Sequence, residues 1–315
     1  KMTQTWKTPH IVKGLLTRVS LFNQWRRQRA GTGGSDSARY CYSVWLRHLS
    51  ILSAAEFCIS GARIGELGPG DSIGTGLAAL LSGARAYVGL DIFPFANKAN
   101  LLEICEELGT MYANREPIPD QEEFPGVRPR LSSYTFPDRL IACSDIATKM
   151  ETIKQELRNG FAVGKLLTYR VPWNSQDVIA PGSLDLIFSH AVLEHVDALD
   201  QTYRDMAAWL KPGGYASHVI DFRAHHLSPF WNGHWAYSEL QWKLVRGHRE
   251  FLLNREPLST HLECARRSGF KVLRIFRDVS DQGLPLSSLA PKFRQLSTED
   301  SQTTGAVLIL RKRGE

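Results

Sequence analysis

Residues 61–91, GARIGELGPGDSIGTGLAALLSGARAYVGLD, constrain the fold more than any other stretch. A strand-like run from Ala62 to Leu67 ends in a turn holding Gly68, Pro69 and Gly70. An apolar helix follows over about Ser72 to Leu81, Gly83 breaks it, and a second apolar run from Ala86 to Leu90 stops at Asp91. Glycines let backbone approach a ligand that a Cβ would obstruct. A helix N-terminus turns its unbonded N–H groups toward an anionic part of that ligand. A carboxylate about 20 to 25 residues beyond the turn is where the ribose hydroxyls of a bound nucleotide lie. The stretch reads as a nucleoside-binding βαβ unit.

Two ligands compete for such a unit. A dinucleotide needs close approach of its pyrophosphate, usually through GxGxxG, and the GPGDSIG spacing matches that imperfectly. S-adenosylmethionine needs no pyrophosphate cradle, and an acid at the end of the first strand, here Glu66, suits its ammonium group. The residues favour S-adenosylmethionine.

At 315 residues, with 43% hydrophobic and 22% charged content, the chain can bury a large core as one domain with additions. Cys41, Cys58, Cys105, Cys143 and Cys264 are scattered without a CxxC, so neither a disulfide framework nor a zinc site is expected. No run of 18 apolar residues spans a membrane, and no signal-peptide pattern points to secretion. A cytoplasmic location follows as the expectation. The net charge of +6 is partly local, with Arg26, Arg27 and Arg29 together and Arg311, Lys312 and Arg313 near the end. Without a basic stripe interleaved with aromatics, nucleic acid is not expected, while peripheral contact with an acidic membrane surface stays open.

Along the chain, residues 1–55 are expected as a helical N-terminal extension and 56–315 as the main domain. Ile11, Leu15, Val19 and Phe22 fit one amphipathic face, with Lys13, Thr17 and Ser20 opposite. A second helix, about Ala38 to Ala55, carries Val44, Trp45, Leu49 and Leu52. After Asp91 comes a helix with Leu101, Ile104, Cys105 and Leu108. Residues 112–150 hold Pro117, Pro119, Pro125, Pro129 and Pro137, and read as an insertion facing the substrate. A helix from Met150 to Asn159 and a strand from Lys165 follow.

The second strong stretch is 165–222. A buried strand, Gly182 to His190, leads through Ala191-Val-Leu-Glu-His195-Val to Asp197. A helix with Leu199, Tyr203, Met206 and Leu210 ends at Lys211-Pro-Gly-Gly214, and the strand Tyr215 to Ile220 terminates at Asp221. Strands alternating with helices at this spacing mean a doubly wound, mostly parallel sheet with ligands at the strand C-termini.

These motifs together resemble the class I S-adenosylmethionine-dependent methyltransferases. Glu66-Leu-Gly-Pro-Gly70 is similar to the acid-x-Gly-x-Gly motif of that family, and Val88-Gly-Leu-Asp91 to its ribose-binding strand. Leu184-Asp-Leu-Ile-Phe-Ser189, Ala191-Val-Leu-Glu-His195-Val and Leu210-Lys-Pro-Gly-Gly214 are similar to its fourth strand, the segment after it and the turn into the fifth strand. Asp71 stands where many members carry a third glycine. The resemblance covers about residues 56–222. It implies an α/β, Rossmann-like sheet of seven strands, closed at one edge by an antiparallel pair, Phe270 to Arg277 and Thr304 to Lys312. It implies S-adenosyl-L-methionine as cofactor, held by Glu66, Gly68, Pro69, Gly70, Asp91 and Ile92, with Ser189 and His190 at the end of the fourth strand.

A methyl acceptor at oxygen or nitrogen often needs a base. His190, His225 and His226 lie just beyond strand ends and are the candidates, whereas His195 is expected to be structural. Spacing gives no firm metal set. Residues 223–256 mix Phe230, Trp231, Trp235, Tyr237 and Trp242 with His225, His226, His234 and His248, either as a substrate platform or as a cap with its own small core. With Asn254 and Arg255, this layout resembles methyltransferases of polysaccharide biosynthesis. The expected activity is methyl transfer to a small-molecule or saccharide acceptor. The alternatives are a non-catalytic S-adenosylmethionine-binding regulatory module and an NAD(P)-dependent oxidoreductase, which the Leu-Lys-Pro-Gly-Gly turn disfavours.

Overall fold

The computed structural model describes residues 5–18, 34–97, 99–141, 145–160, 166–173, 178–249 and 251–314. Val19, Ser20, Phe22, the Arg26–Arg27–Arg29 cluster, Cys143 and the start of the strand expected from Lys165 lie outside them.

Period-2 alternation in the strands explains the layering. Along β4 (Leu184–His190), Leu186 and Phe188 enter one hydrophobic layer and Ile187 the other, while Leu184, before a register shift in the pairing with β5, joins the layer of Ile187. The sheet runs β3-β2-β1-β4-β5-β7-β6, with β1 Arg63–Leu67, β2 Ala86–Leu90, β3 Leu167–Arg170, β5 Leu210–Asp221, β6 Phe270–Val279 and β7 Thr303–Lys312. The first five strands pair in parallel; β7 is antiparallel to both β5 and β6, so the sheet is mixed rather than wholly parallel. On one face pack α2 (Ala38–Ser53), α3 (Gly74–Ser82), α4 (Leu101–Ala113) and α5 (Ile146–Arg158), through Trp45, Leu77, Leu108 and Ile153 among others. The other face carries α6 (Leu199–Trp209) and α8 (Leu258–Arg267), through Tyr203, Met206 and Leu262. Thus α2 contributes directly to the core of the main domain.

The turn expected at Lys211-Pro-Gly-Gly214 is a bulge inside β5. Leu184 pairs with Leu210, but Leu186 pairs with Tyr215, and Gly213 takes the extra length at φ +76°.

The N-terminal helix differs from its expected face. In α1 (Lys7–Leu16), Ile11 packs inward but Leu15 is exposed and Thr17, just past the helix, is buried. Gly14 sets the crossing with α7 (Glu239–Arg246): a Cβ there would lie 2.0 Å from the carbonyl oxygen of Leu244. The inward face is therefore Lys7, Ile11 and Gly14, and the buried Lys7 ammonium donates to the Ala236 carbonyl.

The proline-rich insertion is tied down by one buried cation. The Arg47 guanidinium, from α2, donates to the carbonyls of Pro119 (2.6 Å), Asp120 (3.0 Å), Val127 (3.2 Å) and Pro129 (2.9 Å) and lies 5.0 Å from the Tyr134 ring centroid. Ile118, Val127, Phe136 and Ile141 bury their side chains beneath it. Carbonyls left unsatisfied in a buried loop cost about 1–3 kcal/mol each. Arg47→Met is therefore expected to lower unfolding stability by about 3 kcal/mol or more and to open 114–141 to proteolysis, measured by urea denaturation and limited digestion. An unchanged midpoint would show the loop to be held by its apolar contacts and by the other polar ties, among them Arg39 to Glu116 and Tyr42 to the Glu116 carbonyl.

Candidate functional site

The C-terminal ends of β1, β2, β4 and β5 place the candidate residues along one edge. In register, Leu67 pairs with both Leu90 and Ser189, and His190 pairs with Val219. Glu66, Asp91, His190 and Asp221 therefore sit at neighbouring strand ends, as a doubly wound sheet requires of its ligand edge.

On the β1–β2 side, Glu66 is 3% exposed and its Oε2 accepts a 2.5 Å hydrogen bond from the Tyr87 hydroxyl. Burial pushes its carboxyl up to about 8, against the opposing pull of that hydrogen bond. A cation beside it would restore the ionised form. The turn after it is shaped by Gly68, at φ +64°, where a Cβ would stand 2.7 Å from Val192 Cγ2. Gly68 N–H donates to the Leu90 carbonyl at 2.8 Å, tying the turn to β2, and Pro69 and Gly70 are buried behind it. Asp91 is buried, and burial raises its carboxyl to about 6, against backbone N–H groups of Ile92, Phe93 and Gly70. Its Oδ1 accepts from Ile92 N–H at 2.7 Å and its Oδ2 meets the Tyr169 hydroxyl at 3.5 Å; a carboxylate has about four acceptor sites, so it can take a further donor. Ile92 is exposed beside it. A buried acid awaiting a cation, a glycine turn that admits no side chain and a second acid with spare acceptor capacity fit the ammonium and ribose ends of S-adenosylmethionine.

The β4 end divides by face. Ser189 is fully buried, its hydroxyl paired with His218 Nδ1 at 2.8 Å in the α6–α8 layer. His190 points the other way. Its Nδ1 lies 3.4 Å from Nε2 of His48, whose Nδ1 is 2.7 Å from the Ser217 hydroxyl. Burial, reinforced by the positive charges of Arg47 and Arg128, pushes the His190 imidazole down to about 4 and keeps it neutral at pH 7.

Beyond β5 the histidine pair separates. Both His225 and His226 have positive φ, +43° and +64°, which side chains adopt rarely and which here follow one another in a tight turn. That turn sends His226 into solvent and His225 inward. His225 Nε2 lies 3.2 Å from Asp221 Oδ2, with its N–H off the line to that oxygen, so the contact is an ion-pair approach short of a formed hydrogen bond. Burial alone would raise the Asp221 carboxyl, but His225 and Arg223 outweigh it and hold it well below the usual carboxylate range.

Around this pair stand groups that sequence reasoning did not single out as catalytic. Glu194 accepts the Asp221 N–H at 3.3 Å through Oε1, and burial raises its carboxyl to about 8. Its Oε2, His195 Nδ1 and His234 Nδ1 are buried without a well-aligned hydrogen bond among the described residues, and the two imidazoles have only the backbone at Phe251 and Trp231 beside them. The His195 and His225 ring centroids are 5.2 Å apart. Asn254 fixes the segment carrying Glu194 by donating to the carbonyls of Leu193 (2.7 Å) and Val196 (2.9 Å). The only sequence signal was that Glu194 and His195 lie in the motif after the fourth strand.

Of the aromatics of 223–256, Trp235, Tyr237 and Trp242 are buried, whereas Phe251 is exposed. Trp235 is buried and its Nε1 donates to the Arg255 carbonyl at 2.9 Å; Tyr237 donates to the Leu227 carbonyl at 2.9 Å; Trp242 lies under the Arg255 guanidinium at 4.6 Å. They form two small cores with Trp6, Ile11, Leu289 and Phe293. These rings act as a cap. No group of three or more His, Cys, Asp or Glu among the described residues could hold a metal ion.

A family described as "Methyltransferase domain" matches residues 133–217, from within the insertion through most of β5. No curated protein matches the chain. Among solved structures, the chain is similar to an S-adenosylmethionine-dependent methyltransferase from Mesorhizobium loti, with 14% identity, 84% of this chain and 96% of that one covered, and a TM-score of 0.43. It is also similar to phosphoethanolamine N-methyltransferase 2 of Haemonchus contortus in complex with S-adenosyl-L-methionine, with 16% identity, 85% and 53% covered, and a TM-score of 0.42. The domain match lies on β3, β4 and β5 as far as Ser217, so residues 133–217, which include His190, are similar to a methyltransferase domain.

Proposed function

We propose that the enzyme methylates an oxygen or nitrogen of a small, polar, sugar-like acceptor seated beyond β4 and β5, with His225 as the base. The observation that carries this reading is the group of buried polar atoms around Asp221 that lack a well-aligned hydrogen bond: Glu194 Oε2, His195 Nδ1 and His234 Nδ1. Buried polar atoms without partners cost about 1–3 kcal/mol each unless a ligand supplies them. A polyhydroxyl or amine acceptor offers donors and acceptors to all three.

In this reading Glu66 takes the cofactor's ammonium group, Gly68, Pro69 and Gly70 form the close turn, and Asp91 accepts from the ribose with Ile92 beside it. When bound, S-adenosylmethionine supplies an electrophilic methyl group, and the protein's part is to orient the acceptor and take its proton. Asp221 turns the His225 ring and stabilises its protonated form. His190, neutral and backed by His48, lines the edge between cofactor and acceptor, and Ser189 contributes its backbone alone. His226, in solvent, has no part in the chemistry.

The test begins with the cofactor. S-adenosylhomocysteine is expected to raise the melting temperature, and NAD and NADP to leave it unchanged. Asp91→Ala is expected to weaken S-adenosylhomocysteine about tenfold by calorimetry, the scale of about 1.5 kcal/mol for a hydrogen bond to a charged group. Isotope-labelled methyl transfer to panels of hydroxyl and amine acceptors then tests the acceptor class. Transfer confined to apolar or carbon acceptors would overturn it.

A further inference from the structure

The first 35 residues contain seven of the 38 Lys and Arg and none of the 32 Asp and Glu, so the rest of the chain stands at −1 against a total of +6. The basic excess of this protein is therefore confined to its N-terminal segment. That segment begins with α1, which is fixed on α7 by Lys7, Ile11 and Gly14. The opposite side of α1 shows Val12 (48% exposed), Leu15 (41%) and Leu16 (44%), spaced i, i+3 and i+4 on one stripe. Leu240, on the partner helix α7, is 69% exposed. Four of the most exposed large apolar side chains thus belong to one helix pair.

Along α1 and the residues just after it the charges have one sign. Lys13 and Arg18 on or just after α1, and Lys243 on α7, are exposed. Arg249 donates to the His10 carbonyl at 3.4 Å, and burial together with Lys13 and Arg249 makes His10 harder to protonate. The carboxylates of the neighbourhood, Asp197 and Glu239, are engaged by Arg246 and Arg255.

We infer that the outer face of α1, with Leu240 of α7, docks on an anionic lipid bilayer surface. An amphipathic helix with apolar residues on one side and Lys and Arg beside them lies in the headgroup region, its apolar stripe buried and its cations near lipid phosphates. A nucleic-acid backbone would use the cations and leave Val12, Leu15 and Leu16 in water. Leu240 and α7 belong to the cap formed by residues 223–256, so the docked face is continuous with that cap.

The experiment is co-sedimentation of the full chain with vesicles of equal parts phosphatidylglycerol and phosphatidylcholine, against pure phosphatidylcholine. Binding to the anionic vesicles only is expected, weakening as salt rises from about 0.1 to 1 M. Leu15→Ser with Leu16→Ser, and separately Lys13→Glu with Arg18→Glu, are each expected to weaken it about tenfold or more. S-adenosylhomocysteine thermal shifts like those of the wild type verify that both variants are folded. No vesicle binding by the wild type, binding that neither variant alters, or binding to single- or double-stranded oligonucleotides in place of vesicles would each overturn the inference.

Discussion

His225→Ala is expected to cut the rate of methyl transfer about a hundredfold or more, while S-adenosylhomocysteine affinity stays within about twofold. The imidazole approaches Asp221 Oδ2 at 3.2 Å through Nε2, so a small ring rotation completes the hydrogen bond and leaves the other ring nitrogen to take a proton. Asp221, ionised across the working pH range, is the orienting group in this pair. His226→Ala is the internal control. It shares the strained turn, at φ +64°, but its ring is in solvent, so its rate is expected to remain near that of the wild type. Asp221→Asn should follow His225→Ala in direction. It would retain the shape of the turn and lose the charge that stabilises the protonated imidazole. Single-turnover rates with any acceptor the enzyme accepts separate these variants. A His225→Ala enzyme with an unchanged rate would move the base to His190, whose imidazole, held down to about 4, is a poor proton acceptor near neutral pH.

The core of the fold was legible because its signals are local. Gly83 at φ +119° ends α3, β2 runs from Ala86 to Leu90, and Asp91 follows, all as the turn chemistry and apolar runs indicate. What escaped depends on partners distant in the chain. The inward face of α1 is set by Gly14 against α7, more than 200 residues on, and a helix-period reading sees only the apolar residues of α1 itself. Arg47 looks like one polar residue in an apolar helix, yet its partners are carbonyls of 119–129, which sequence pattern does not display. Ser217 and His218 are adjacent on β5 but face opposite layers, toward His48 and Ser189 respectively, so neither pair is visible before the sheet register is known. Residues 225 and 226 looked equivalent because strand-end proximity was the only criterion. Two successive positive φ angles, which no sequence rule for histidine anticipates, divide their roles.

Affinity for S-adenosylhomocysteine is expected to rise about fiftyfold from pH 6 to pH 8 and then level off. The cause is Glu66. Burial raises its carboxyl in the free protein to about 8, and the groups facing it do little to lower it: Tyr87 donates one hydrogen bond, while Tyr40 and Cys41 of α2 and Asp91 just after β2 add no positive charge. An ammonium group beside Glu66 favours the ionised form, so binding expels a proton wherever the free carboxyl is still protonated. With the free group near 8, the ionised fraction climbs from about 1% at pH 6 to about half at pH 8, which sets the fiftyfold scale. The same shift acts oppositely on the free enzyme. A carboxyl raised above its unfolded value favours folding below that unfolded value and loses this contribution as pH rises through about 8, so the ligand-free protein should soften over the window in which the complex tightens. Asp91, raised to about 6, titrates at the acid edge of the window and steepens the profile only there. Glu66→Gln should flatten the rise between pH 6.5 and 8, whereas Asp91→Asn should leave it in place. Calorimetry in two buffers of different ionisation enthalpy reads the expelled proton directly. A wild-type affinity that is flat from pH 6 to 8, with no proton released, would remove Glu66 from the ammonium site and place the cofactor's positive end elsewhere on the edge formed by β1, β2 and β4.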